Sequence, residues 1–305
     1  LLRKNPVWLF NALQTQGKTY SALLNPTIAI DEWNEKAVAN LQDLKHLGAA
    51  PAYGFLLWTC QVSRNHAWDE SEAVSQVAAL LTKWFFWRNL TDTPPTRELD
   101  PMFVELINEL LHKIRSKEIK ELADYLKQTN DLLVARAAPE ETCDACLQGD
   151  VYLENYEATR FMLCKLEELH QTRENKRNLW AHDSNSRPVF TVEHILPKTE
   201  NLGKEWVDML ELNSRDSADL VRQRCAHLLG NLTLSGYNSK LGTMDFLRKR
   251  DRQNDQGDYI GYKNGLYLNR HLVKRKHWNE LSIRARTKIM LKEVKAILSL
   301  RNNFL

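Results

Sequence analysis

Six apolar residues, Phe103, Leu106, Ile107, Leu110, Leu111 and Ile114, recur at the i, i+3, i+4, i+7 spacing of one buried helical face. Leu122, Tyr125, Leu126, Leu132 and Leu133 carry the pattern on after a short break. Upstream, Asp69-Glu70-Ser71-Glu72 has the acidic character of a helix start. That helix runs through Leu80 to the cluster Trp84-Phe85-Phe86-Trp87 and stops at Thr91-Asp92-Thr93-Pro94-Pro95-Thr96. At helical spacing the four aromatic rings are expected in a core rather than on a base-stacking surface. With only 11 Gly and 9 Pro among 305 residues, a turn-dense all-β chain or a collagenous one is excluded.

The apolar runs around 53–60 and 80–87 fall well short of the roughly 18 residues a spanning helix needs, so no membrane partner is expected. No basic-then-apolar leader opens the chain, and its first residue is Leu1 rather than Met, which reads as a piece of a longer protein. Five cysteines do not suit a disulfide framework, and a reducing bacterial cytoplasm is the expected location. Cys143-Asp144-Ala145-Cys146, with Cys164 and His170 further on, has the atoms for zinc. A second tight pair is missing and Cys164 lies among Phe161, Met162, Leu163 and Leu166, so structural zinc is not expected.

Charge is uneven along the chain. The net charge is +3, yet residues 248–305 carry 15 Lys and Arg against 5 Asp and Glu. A basic block beside a neutral-to-acidic body suits a polyanion partner. A solvated helix face gives the same count.

The polar, small-residue segment 137–150 is the candidate boundary, dividing a helical region over 1–140 from a second domain over 141–305. After a helix bearing Tyr156, Phe161 and Leu166, the pattern changes. Val189-Phe190-Thr191-Val192-Glu193-His194-Ile195, stopped by Pro197, predicts a short strand. Gly230-Asn231-Leu232-Thr233-Leu234 predicts a second, Trp206–Leu210 and Asp219–Leu229 read as helical, and Gly236-Tyr237-Asn238 is a turn. Ser239 through Leu247 opens a helix, and Ile283–Leu300 is a basic amphipathic helix.

Adjacent Glu193 and His194 at a strand end point to opposite sides of the pleat. The carboxylate is then able to meet a hard cation while the imidazole faces another group, such as a water. Asn238, at a helix start, adds an amide oxygen suited to Mg²⁺ or Mn²⁺. Such a set is completed only by phosphate oxygens from a substrate. Taken singly, each motif is ordinary turn or strand chemistry. His227 and His277 show no ligand spacing and are read as structural.

Glu193-His194-Ile195-Leu196-Pro197, then Gly230-Asn231-Leu232-Thr233-Leu234, then Tyr237-Asn238-Ser239-Lys240-Leu241 together resemble the HNH (ββα-metal) nuclease region of GmrSD/SspE-type modification-dependent restriction proteins. The resemblance is strongest over about 156–247 and continues more weakly through Phe246, Lys249, Trp278 and Arg286. It implies a mainly α (α+β) fold, with a helical N-terminal region followed by a ββα-metal HNH core embedded in helices. It also implies a metal-dependent endonuclease or nickase that hydrolyses the phosphodiesters of double-stranded DNA in anti-phage restriction. His194 matches the general base and Asn231 the middle asparagine that pins the loop and orients it. Glu193 and Asn238 match ligands of a single Mg²⁺ or Mn²⁺; many relatives have Asp at the first position. Lys240 and Lys249 are expected on phosphates, with Lys274, Arg275, Lys276 and Arg286 on the DNA backbone. A further implied partner is an N-terminal nucleotide-handling domain of the same protein, whose Asp-Gly-Gln-Gln-Arg-type motif this sequence lacks. That domain would sense the DNA modification, glucosylated cytosine or backbone phosphorothioate. The rival reading is a non-catalytic helical DNA-binding or interaction domain on a degenerate HNH scaffold.

Overall fold

In the computed structural model, which describes residues 6–29 and 31–300, the chain is mainly α, with one two-stranded sheet among the described residues. It divides into two compact units, the second being Glu140–Ile297.

The first unit is built on the helices Pro6–Leu24, Glu35–His46, Tyr53–His66, Glu70–Thr91, Leu99–Arg115 and Leu122–Ala135. Glu70–Thr91 begins where Asp69 accepts a hydrogen bond from the Glu72 amide, and it ends at Asp92, whose positive φ of 46° takes the backbone out of the helix. Most of its length is buried, and the aromatic cluster is core as its spacing predicts. Trp84 donates its indole N–H to the Leu133 carbonyl at 2.9 Å, which satisfies the polar edge of a fully buried ring.

In the second unit, β1 (Thr191–His194) pairs antiparallel with β2 (Leu232–Ser235), in a register that sets Glu193 opposite Thr233 and His194 opposite Leu232. Both strands are shorter than predicted. Val189 donates its amide to the Ala181 carbonyl instead of to the sheet, and Leu229–Asn231 forms a single 3₁₀ turn ahead of β2. The segment over 137–150 is not an open linker, because Glu140–Gln148 is helical. The helix predicted from Ser239 is two short ones, Asn238–Leu241 and Phe246–Asp251, parted at Gly242 with a φ of 48°. The closing helix is Glu280–Leu298. Ile195, Leu196, Trp206, Leu228, Phe246, Tyr262, Trp278 and Ile283 form the core beneath the sheet, where the Phe246 and Trp278 rings stack at 5.5 Å. No described helix is long and apolar enough to cross a membrane.

Gly230 is where the 3₁₀ turn meets the closing helix. A Cβ there would lie 2.1 Å from the Ile283 carbonyl oxygen and 2.6 Å from the Thr287 amide nitrogen, and the Gly230 N–H already donates to Thr287 Oγ1 at 3.0 Å. Backbone cannot yield as a flexible side chain would. Gly230→Ala is therefore expected to destabilise the second unit by about 3 kcal/mol or more, read as a lower midpoint in urea.

Candidate functional site

The two short strands leave several carbonyls without sheet partners, and buried side chains supply the missing donors. Lys249 comes from the helix Phe246–Asp251 and is wholly buried. Its ammonium donates to the Glu193 carboxylate at 2.7 Å, to the His194 carbonyl at 2.8 Å and to the Ile195 carbonyl at 3.3 Å. Tyr262 adds a longer O–H donation to the same Glu193 oxygen, at 3.4 Å. Burial pushes the Glu193 carboxyl above its ordinary range and the Lys249 ammonium below its own, and their attraction pulls both back. Arg286, also buried, reaches from the closing helix to the carbonyls of Gly230 and Leu232, each at 2.7 Å, and of Leu268 at 2.9 Å. Burial without a carboxylate partner brings its guanidinium down to about 9.

These bonds correct two expectations. Lys249 and Arg286 do not face DNA: both are buried, and their hydrogen bonds go to the Glu193 carboxylate and to main-chain carbonyls. Lys240, Lys274, Arg275 and Lys276 are exposed. The Lys240 ammonium lies 5.8 Å from the centre of the Tyr237 ring.

Asn231 is fully buried and uses its whole amide. Its Nδ2 donates to the Leu196 and Ala226 carbonyls at 2.8 and 2.9 Å, while its Oδ1 accepts from the Leu196 amide at 2.8 Å and the Trp278 indole at 3.0 Å. One side chain thus ties the segment after His194 to the segment before β2. Asn238 turns elsewhere. Its Nδ2 donates to Thr191 Oγ1 at 2.6 Å and to the Val192 carbonyl at 3.0 Å, and its Oδ1 is buried with no partner.

His194, at the end of β1, is 7% exposed. Its Nε2 lies 3.2 Å from Nδ1 of His227, a residue with no sequence signal beyond its place four positions before Asn231. Tyr152 completes the cluster. It meets the His194 ring edge-to-face at 4.5 Å and lies nearly parallel to His227 at 5.4 Å. The exposed Lys198 holds its ammonium 3.4 Å from the Tyr152 hydroxyl and 5.0 Å from the ring centre, and the Lys198 carbonyl accepts from Arg222 at 2.9 Å. Burial first, then the charges of its neighbours, pushes the His194 imidazole down to about 3. His227 is lowered too, chiefly by burial, against the pull of Asp150. Both rings are therefore neutral near pH 7. Sequence reading missed His227, Tyr152 and Lys198 because they meet only once the strands pair and the loops around them close.

The pair expected to hold a divalent cation does not fit one as arranged. The place beside Glu193 is taken by the Lys249 ammonium, Glu193 and Asn238 have different partners, and no group of three or more His, Cys, Asp or Glu converges among the described residues. Asn238 Oδ1 is buried and accepts no hydrogen bond. Cys143 and Cys164 are buried thiols, and Cys146 is half-buried.

Residues 140–293 match the family described as GmrSD restriction endonucleases, C-terminal domain, over just over half of the chain. No curated protein matches the sequence.

Proposed function

Because the chain belongs to the GmrSD restriction endonuclease family through its C-terminal domain, we propose that residues 141–305 form an HNH-type nuclease domain that nicks double-stranded DNA, with 1–140 as an attached helical region. His194 is the general base: its neutral imidazole takes a proton from the water that attacks the phosphorus, the phosphodiester P–O bond to the leaving oxygen breaks, and that oxygen takes a proton from solvent. The carrying observation is the fully bonded Asn231 amide, which fixes the segment that follows His194. A base held this firmly is preorganised for one direction of attack. Exposed Lys198 beside His194, with Lys240, Lys274, Arg275 and Lys276, supplies cationic groups for phosphates.

Restriction endonucleases generally use a divalent cation, so the test is conversion of supercoiled plasmid to open circle by the purified chain with Mg²⁺ or Mn²⁺. Open circle supports the proposal, and unchanged plasmid across both metals overturns it. The Glu193–Lys249 pair favours a second reading, a DNA-binding scaffold without catalysis, because it neutralises the carboxylate that a metal would need. Under that reading the chain shifts DNA in a gel and cuts none.

Either reading predicts salt-dependent DNA binding. Lys274→Ala with Lys276→Ala is expected to lower the slope of log K against log salt by about 2, one for each phosphate no longer neutralised. An unchanged slope would place the DNA elsewhere on the molecule.

A further inference from the structure

His194 Nε2 and His227 Nδ1 face each other at 3.2 Å, and a hydrogen bond between them places the proton on one of the two atoms. If His227 carries it, Nε2 of His194 is an acceptor, the other His194 nitrogen holds the ring's proton, and no free lone pair remains to take a proton from water. If His194 carries it on Nε2, its Nδ1 is bare. Among the described residues no protein group takes a hydrogen bond from or gives one to His194 Nδ1, and that atom is not sealed from solvent. A general base requires the second arrangement.

We infer that His227 is a positioning residue whose Nδ1 accepts the His194 Nε2–H, fixing the tautomer and ring direction that leave His194 Nδ1 as the proton acceptor. The inference rests on the nuclease reading and assigns His227 a task within it. Three features keep the acceptor in place. Asn231 holds the carbonyl of Ala226, the residue before His227, and both main-chain polar groups of Leu196, two residues after His194. Tyr152 packs on both rings, lying 19° from the plane of His227 and 76° from that of His194. The 3.2 Å approach of the two ring nitrogens fits one shared proton and leaves no room for a bridging group. During attack the proton from water goes to Nδ1, and it returns to solvent after the P–O bond has broken.

Two substitutions separate positioning from filling of space. His227→Asp presents only acceptors to Nε2–H, whereas His227→Phe keeps a ring of similar size with no hydrogen-bonding atom. In the plasmid assay His227→Asp is expected to hold kcat within about tenfold of wild type. His227→Phe should lose at least about 100-fold in kcat with KM for DNA unchanged, the pattern of a base left free to take the wrong tautomer. A Phe variant with wild-type kcat, or Asp and Phe variants equally impaired with intact folds, would overturn the assignment. Long-range ¹H–¹⁵N NMR of the His194 ring reads the same point without catalysis. Wild type should show the proton on Nε2 and His227→Phe a mixture of tautomers, while an Nδ1–H in the wild type sinks the inference. A chain that cuts no plasmid yet shows Nε2–H defeats the nuclease reading alone.

Discussion

His194→Ala is expected to slow nicking of supercoiled DNA by about 10²–10⁴-fold while its gel-shift affinity stays near that of the wild type. The rate falls because nothing else near the end of β1 replaces a neutral imidazole. His227 faces the far side of the same ring, Tyr152 is phenolic, and Lys198 carries a charge. Affinity is expected to persist because the exposed lysines and arginines proposed for phosphates lie on other segments. The small, buried His194 ring contributes little surface to a duplex interface. A variant that cuts as fast as wild type would remove His194 from the chemistry. One that loses binding and cutting in parallel would make the residue structural.

The largest stability effect is expected at the buried ion pair. Lys249→Met leaves the Glu193 carboxylate without its cation and takes the donor from the carbonyls of His194 and Ile195. Removing one partner of a buried pair costs about 3–5 kcal/mol, and urea unfolding of the second unit should register a loss of that order. The loss should also depend on pH. Without Lys249 the buried Glu193 carboxyl keeps its proton in the native chain above the pH at which the unfolded chain gives it up. Native protein then binds more protons than unfolded, so stability falls as pH rises through the interval between the two values. The deficit of Lys249→Met is therefore expected to be greater at pH 8 than at pH 5. Adding Glu193→Gln should restore roughly half of it, because the uncompensated charge is gone but the two carbonyls still lack a donor. If the double variant is no more stable than Lys249→Met, the pair is not what sets the cost.

Much of this architecture was legible in the residues. The Phe103–Ile114 spacing marks a helical face, the Trp84–Trp87 cluster is core, and Glu193-His194 does end a strand that pairs with the one after Asn231. Asn231 bonds the carbonyls of Leu196 and Ala226 just ahead of the second strand. The fate of Lys249 and Arg286 was not legible. Sequence charge counts treat a cation as surface, and the reason these two are inside is a local shortage of backbone donors. Strands of four residues, each with one neighbour, leave carbonyls facing helices, and only long cationic side chains reach them. His227 was illegible for a related reason. Its value depends on an approach between residues 33 positions apart, which no local spacing encodes.

The side chains that complete the backbone bonding of the two strands arrive late in the chain. Glu193 and His194 wait for Lys249, and Gly230 and Leu232 wait for Arg286, a separation of 54 to 56 residues in each case. During synthesis, which proceeds from the N-terminus, the strands emerge well before their last donors do. Until the helix bearing Arg286 clears the ribosome, the carbonyls of Gly230 and Leu232 lack the donor they have in the folded unit. The small sheet of the second unit is therefore completed only once the helix Glu280–Leu298 has been made.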